Sequence, residues 1–185
     1  PLMAWCLETG SIEPSRVLTA REWQQLLVDE KRPIRERTDT FFMTRKLFVD
    51  RNRDTWLSLN EPYEPIWSTL RELGGGRVVI LTNKNLQAVL DLTNHFGLEL
   101  DPKNVYSGDQ AVTKSDNLKR LHARFNAAHY WFVDDSIGNI RELKAEFSER
   151  REGFELRVAL GTWGYLGPTD TKDAERDGIE MVSQA

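Results

Sequence analysis

The feature that most constrains this chain is the change of pattern near residue 59. Beyond it, short β-branched and aromatic runs alternate with helix-length stretches. Arg77-Val78-Val79-Ile80-Leu81 and Tyr130-Trp131-Phe132-Val133 are near-continuous apolar runs. Such runs suit strands buried on both faces of a parallel sheet. A third strand is expected at 156–160 and a weak one at Val105-Tyr106. Helices are expected at 62–73, 86–96, 116–125 and 137–147, the first closed by Gly74-Gly75-Gly76 and the second by Gly97. Strands alternating with helices of this length imply βαβ units, right-handed crossovers and a parallel sheet. The residues after Pro168 are polar and read as a loose helix or a tail.

Before residue 59 the pattern is helical and offers no good strand. Thr19, with Glu22 three residues on, has the spacing of a capping box. Trp23, Leu26 and Leu27 then fall on one helical face, and Pro33 should end or bend that helix. A second amphipathic stretch carries Phe41, Phe42, Arg45, Leu47 and Phe48. The division expected is therefore a helical region at 1–58 and an α/β core at 59–185.

Composition narrows the functional classes. A formal net charge of −4 argues against a nucleic-acid binder. No apolar run reaches the length of a membrane span. The single cysteine, Cys6, cannot form an internal disulfide, so a reducing cytoplasm is the expected compartment. Cys6 itself reads as a small core residue, and His95, His122 and His129 show no metal-ligand spacing.

Ligands of open α/β sheets bind at the carboxyl ends of the strands. Thr82, Asn83 and Lys84 follow the first strong run, and Asp134, Asp135 and Ser136 follow the second. Asn139 lies one helical turn beyond Asp135, and Lys114 starts a helix between the two strands. A hydroxyl, a fixed cation and a carboxylate pair around one sheet edge suit phosphoryl chemistry, where positioning and charge neutralisation supply the catalysis. Thr82 could equally cap the next helix, and Asp134-Asp135 could simply favour a helix N-terminus. Trp163 and Tyr165 follow the third strand, where they either line the pocket or pack.

These residues resemble the haloacid dehalogenase superfamily. The strand ending in Thr82 looks like its second motif, Lys114 like its third, and the strand ending in Asp134-Asp135, with Asn139 following, like its fourth. Their order agrees, with 32 residues from Thr82 to Lys114 and 21 from Lys114 to Asp135. Trp163-Gly164-Tyr165 is similar to phosphoglycolate-phosphatase-like members. The resemblance covers 62–168. It implies a three-layer Rossmann-like parallel sheet with a small α-helical cap, formed by 1–58.

The activity implied is that of a Mg²⁺-dependent phosphohydrolase acting on a small phosphorylated metabolite through an aspartyl-phosphate. Thr82, Lys114 and Asp135 would be catalytic. Thr82, Asn83 and Lys114 would bind the phosphoryl group, with Arg45 of the cap a further anion contact. Asp134, Asp135 and Asn139 would hold Mg²⁺. The family's first motif, Asp-x-Asp at the end of a strand, supplies the nucleophile, and no such pair on a strand precedes Thr82. Either residues ahead of Pro1 carry it, or Cys6 and Glu8 stand at its two positions, and the chain as it stands is expected to be inactive. Two other classes stay open: a non-catalytic relative that binds a phosphorylated ligand or a partner protein, and a 2-haloacid dehalogenase, which needs no metal.

Overall fold

The computed structural model describes residues 18–29, 34–108, 112–147 and 153–184. Cys6 and Glu8 lie outside the described residues. The protein is a mixed α/β chain with two small parallel sheets. It divides into two compact units. One holds the described residues up to Leu59 together with Gly167–Thr169, and the other holds Asn60–Leu166 and the residues from Asp170 onward.

The first unit contains helix α1 (Ala20–Asp29) and helix α2 (Ile34–Ser58). The expected capping box forms. The backbone N–H of Thr19 donates to Glu22 Oε2 at 2.8 Å, and that of Glu22 donates to Thr19 Oγ1 at 3.3 Å. Two orphan donors of the first turn are thereby satisfied. Helix α2 is not continuous, because Asn52 breaks it with φ −141° and ψ 48°. Arg45 lies over the rings of Phe41 and Phe42, at 5.6 and 5.0 Å from their centroids. Lys46 pairs with Asp50 one turn on.

The second unit opens with helix α3 (Ile66–Leu73), ended by Gly74 at φ 75°, a backbone angle that favours glycine. Strand β1 (Ile80–Leu81) pairs in parallel with β2 (Val105–Tyr106) across helix α4 (Leu86–His95). The run expected as a five-residue strand is thus paired over only two residues. Its ladder can be no longer than its partner, yet Val78 is buried all the same. Val78 packs with Val89, Leu98, Leu100 and Val105, a cluster that Trp67, Leu70 and Ile80 also contact. Val79 and Leu81 instead face a second cluster, built from Leu118, Leu121, Leu143, Phe147 and Phe154.

That second cluster belongs to helix α5 (Lys114–Phe125), helix α6 (Ile137–Phe147) and the approach to strand β4 (Glu155–Gly161). Strand β3 (His129–Asp134) pairs with β4 in parallel along its whole length, Asp134 opposite Leu160. Tyr130 and Phe132 of β3 and Leu156 and Val158 of β4 pack on the same cluster as Val79 and Leu81. The alternate side chains Trp131 and Val133 are exposed. His122 packs between Tyr130 and Phe154. Its Nδ1 lies 3.2 Å from the Tyr130 hydroxyl and its ring stacks on Phe154 at 4.5 Å.

The polar C-terminal stretch is not a tail. Helix α7 (Asp170–Arg176) leads to strand β5 (Glu180–Val182), which pairs in parallel with β4. Two apolar anchors, Ala174 and Ile179, join Ile137, Ile140 and Leu160 in a third cluster. Arg141 of α6 holds Asp177 at 2.6 Å through Nε, and Lys144 Nζ donates to the Asp177 carbonyl at 2.6 Å. The hydrogen bond from Arg141 lowers the Asp177 carboxyl below the ordinary aspartate value. Strand formation here depends on backbone pairing to β4, which needs no apolar alternation in the sequence. No helix among the described residues is long and apolar enough to cross a membrane.

Two predictions follow from this packing. Leu143 is fully buried, so L143A should cost about 2–5 kcal/mol, measured by urea unfolding. A cost under half a kilocalorie would mean the helix layer is not a shared core. Because Asp177 is held below its unfolded value, its contribution is present above that value and is lost as pH falls through the folded one. D177N should therefore be less stable than wild type at pH 7, and the gap should close below the ordinary aspartate range. A gap that is unchanged in acid would sink the assignment of that ion pair.

Candidate functional site

The candidate residues follow β1 and β3. Asp134 is the last residue of β3, and Asp135 and Ser136 lead into α6. Lys114 is the first residue of α5, whose N-cap is Thr113, with its side-chain oxygen accepting from the Asp116 N–H at 3.1 Å. That cap fixes where the helix begins and so where Lys114 projects. Lys114 Nζ pairs with Asp134 Oδ2. The Asp134 side chain is 8% exposed and that of Lys114 18%, so the pair is largely out of water. The ammonium also lies 5.5 Å from the centre of the Phe132 ring.

Asp134 is held by more than the lysine. Its Oδ1 accepts from the Ser136 N–H at 2.9 Å, closing a short turn at the end of the strand. The Asn139 amide donates to both oxygens, at 3.3 and 3.2 Å. Asn139 therefore presents its NH₂ group to Asp134. Its own backbone N–H donates to Ser136 Oγ at 3.4 Å. Asp134 is the hub of this network, with cation, backbone amide and side-chain amide all converging on one carboxylate.

Asp135 has a separate partner. Its Oδ2 accepts from the Tyr165 N–H at 3.0 Å, in the loop after β4. No hydrogen bond among the described residues reaches its other oxygen. Gly164 lies directly against the Asp135 side chain, where a Cβ would overlap the carboxyl group. Tyr165 is almost wholly exposed, and the Trp163 ring tilts against Tyr63 at 6.4 Å between centroids.

Thr82 and Asn83 follow β1. The Thr82 N–H continues the β1–β2 pairing by donating to the Tyr106 carbonyl at 3.0 Å, and its hydroxyl oxygen accepts from the Lys84 N–H at 3.1 Å. Thr82 does not cap α4. That role belongs to Asn85, whose Oδ1 accepts from Ala88 N at 2.8 Å. No hydrogen bond joins Thr82 or Asn83 to the Lys114–Asp134 group. Both β1 and β3 rest on the helix cluster around Leu118 and Leu143, and among the described residues β1 pairs with β2 and β3 with β4. Arg45, the anion contact expected from the helical region, lies in the other compact unit.

Of the residues singled out in the sequence, the structure joins Lys114 to Asp134, and it gives Ser136 and Gly164, to which the sequence assigned no part, contacts with the two aspartates. The Ser136 turn had a legible signal, an Asp two residues before a serine at a strand end. Gly164 had none, because only the fold brings it onto Asp135.

Among the described residues no group of three or more His, Cys, Asp or Glu is arranged to hold a metal. Mg²⁺ does not require one, since it keeps several waters and takes one or two carboxylates plus substrate phosphate. Asp135, with one oxygen in no hydrogen bond among the described residues, is a donor of that kind, and Asp134 beside it is already engaged by Lys114, Ser136 and Asn139. Asn139 fits less well in this arrangement, since it directs its amide hydrogens toward Asp134.

The Lys114–Asp134 pair can be tested for its structural part. K114M should destabilise by about 3 kcal/mol, because it leaves a buried carboxylate without its cation. Adding D134N to K114M should restore much of that loss, as read by urea unfolding. A K114M variant as stable as wild type would contradict the burial of the pair.

Compared with known protein families, with curated proteins and with solved structures, the chain matches none.

Proposed function

We propose that this protein is a Mg²⁺-dependent phosphohydrolase of the haloacid-dehalogenase-like class, acting on a small phosphorylated metabolite. One observation carries the reading. A largely buried lysine–carboxylate pair and a second, partly open carboxylate converge at the end of one parallel strand. A strand from a neighbouring sheet ends in a hydroxyl residue and rests on the same core cluster. A cation and hard oxygen donors at a strand end are what charge neutralisation of a phosphoryl group needs.

In this reading the two sheets are halves of a three-layer Rossmann-like domain. β1 and β3 pack on one helix layer, and in this class a central strand carries the nucleophilic Asp. Water ultimately adds to phosphorus, the ester oxygen leaves as an alcohol, and inorganic phosphate is released. Thr82 and Asn83 bind phosphoryl oxygens. Lys114 neutralises charge, and Asp134 holds Lys114 in place. Asp135 is the principal metal-facing carboxylate, with Asp134 and Asn139 behind it. Bound Mg²⁺ would act as a Lewis acid on the phosphoryl oxygens. The helical unit is read as the cap of this class, and Arg45 is the residue in it carried over as an anion contact.

A second reading has its own support. Asp134 and Asn139 satisfy each other and Lys114 satisfies Asp134, so the cluster is complete without any ligand. A non-catalytic relative that binds a phosphorylated ligand or a partner would need no more than this.

Phosphate release from a panel of small phosphate monoesters separates the two. A polypeptide that also carries the nucleophilic Asp should turn over at least one of them with Mg²⁺, and D135A in it should reduce kcat by a factor of about 100 or more, an order-of-magnitude expectation for loss of a group that stabilises the transition state. Turnover retained in D135A would remove Asp135 from the machinery. Binding of phosphate esters without turnover would favour the non-catalytic reading. Halide release from a 2-haloacid, unaffected by chelator, would point to a dehalogenase instead.

A further inference from the structure

The loop after β4 is tied down at both ends and across its middle. Thr162 donates from its backbone N–H and its hydroxyl to the Val182 carbonyl, at 2.9 and 3.1 Å. Trp163 folds back so that its indole lies against Gly161. The Leu166 N–H donates to the Gly164 carbonyl at 3.1 Å, and the Leu166 side chain packs on the third core cluster. Between these anchors, Gly164 lies flat on Asp135 and the Tyr165 N–H reaches Asp135 Oδ2.

We propose that Gly164 and the Tyr165 backbone amide are positioning groups that clamp Asp135, committing Oδ2 to the loop and directing Oδ1 alone toward a divalent cation. The geometry explains why the loop carries glycine at 164. Any side chain would occupy the space of the Asp135 carboxyl and push it off its position. A carboxylate with one oxygen held by a fixed N–H has lost most of its freedom to rotate. It therefore binds a cation through the remaining oxygen with less ordering to supply, the usual part of a group behind a metal ligand. The Tyr165 side chain is not needed for this, in keeping with its exposure. The clamp deepens the phosphohydrolase reading and rests on it for the identity of the ligand.

The test uses Mn²⁺ as the probe, with free ion counted by electron paramagnetic resonance, on wild type, G164A, D135G and G164A/D135G. In D135G the space beside residue 164 is open. The expected result is that G164A weakens Mn²⁺ binding by about 10-fold or more. The double variant should bind no worse than D135G alone, and G164A should lower Tm in the wild-type background far more than in D135G. A second readout needs no variant at position 164. In the ¹⁵N–¹H spectrum of wild type, Mg²⁺ should move the Tyr165 amide signal, and in D135N it should not. Wild-type Mn²⁺ binding that G164A leaves unchanged, or a Tyr165 amide blind to Mg²⁺, would overturn the clamp while leaving the metal reading intact. Absence of Mn²⁺ binding by wild type would instead overturn the metal reading and the clamp's role in it, and the Tm coupling would then report only on packing.

Discussion

The packing of Leu118, Leu121, Leu143, Phe147 and Phe154 is the constraint on which the second unit depends, because both sheets rest on it. Val79 and Leu81 reach it from β1, Tyr130 and Phe132 from β3, and Leu156 and Val158 from β4. Strands that share one apolar floor must lie with their carboxyl ends oriented by the helices that form it. The site is a consequence. Lys114 and Asp134 meet because α5 starts, and β3 ends, at the same margin of that floor. Removing a cation from this pair exposes the asymmetry of buried charges, since a paired carboxylate costs little and an abandoned one costs much.

The two aspartates after β3 are adjacent in sequence and differ in task. Asp134 is saturated by Lys114, the Ser136 N–H and the Asn139 amide. Asp135 is held through one oxygen only. Successive residues at the end of a strand point in different directions, so one meets Lys114 and Asn139 and the other meets the loop after β4. The hydroxyl end of β1 is less committed. Thr82 serves its own turn through Lys84, and the glycine at 108 lies close against the Asn83 backbone.

The two faces of β3 differ. Tyr130 and Phe132 are packed, whereas Trp131 and Val133 are exposed, Trp131 lying under Arg157 at 5.3 Å from its ring centre. An arginine over an indole covers apolar surface while keeping its charge wet. The third cluster around Ile140 and Leu160 then fastens β5 to the same sheet, with Arg141 and Lys144 tying its approach to α6.

The amino-acid sequence by itself determined the alternation of strands and helices, the capping box at Thr19 and Glu22, and the helices ended by Gly74 and Gly97. Local periodicity and capping chemistry carry those signals, and they act over a few residues. It also marked Lys114, Asp134 and Asp135, because residues after an apolar strand fall at a predictable edge. Only the tertiary structure decided the rest. The run at 77–81 is a two-residue ladder because its partner β2 offers no more. The polar end became α7 and β5 because β4 offered a free edge and the third cluster a seat for Ala174 and Ile179. Gly164 met Asp135 across 28 intervening residues, and Asn85 rather than Thr82 took the cap of α4. Pairing partners, free edges and close approaches are relations between segments distant in sequence, and no local pattern encodes which of them will touch.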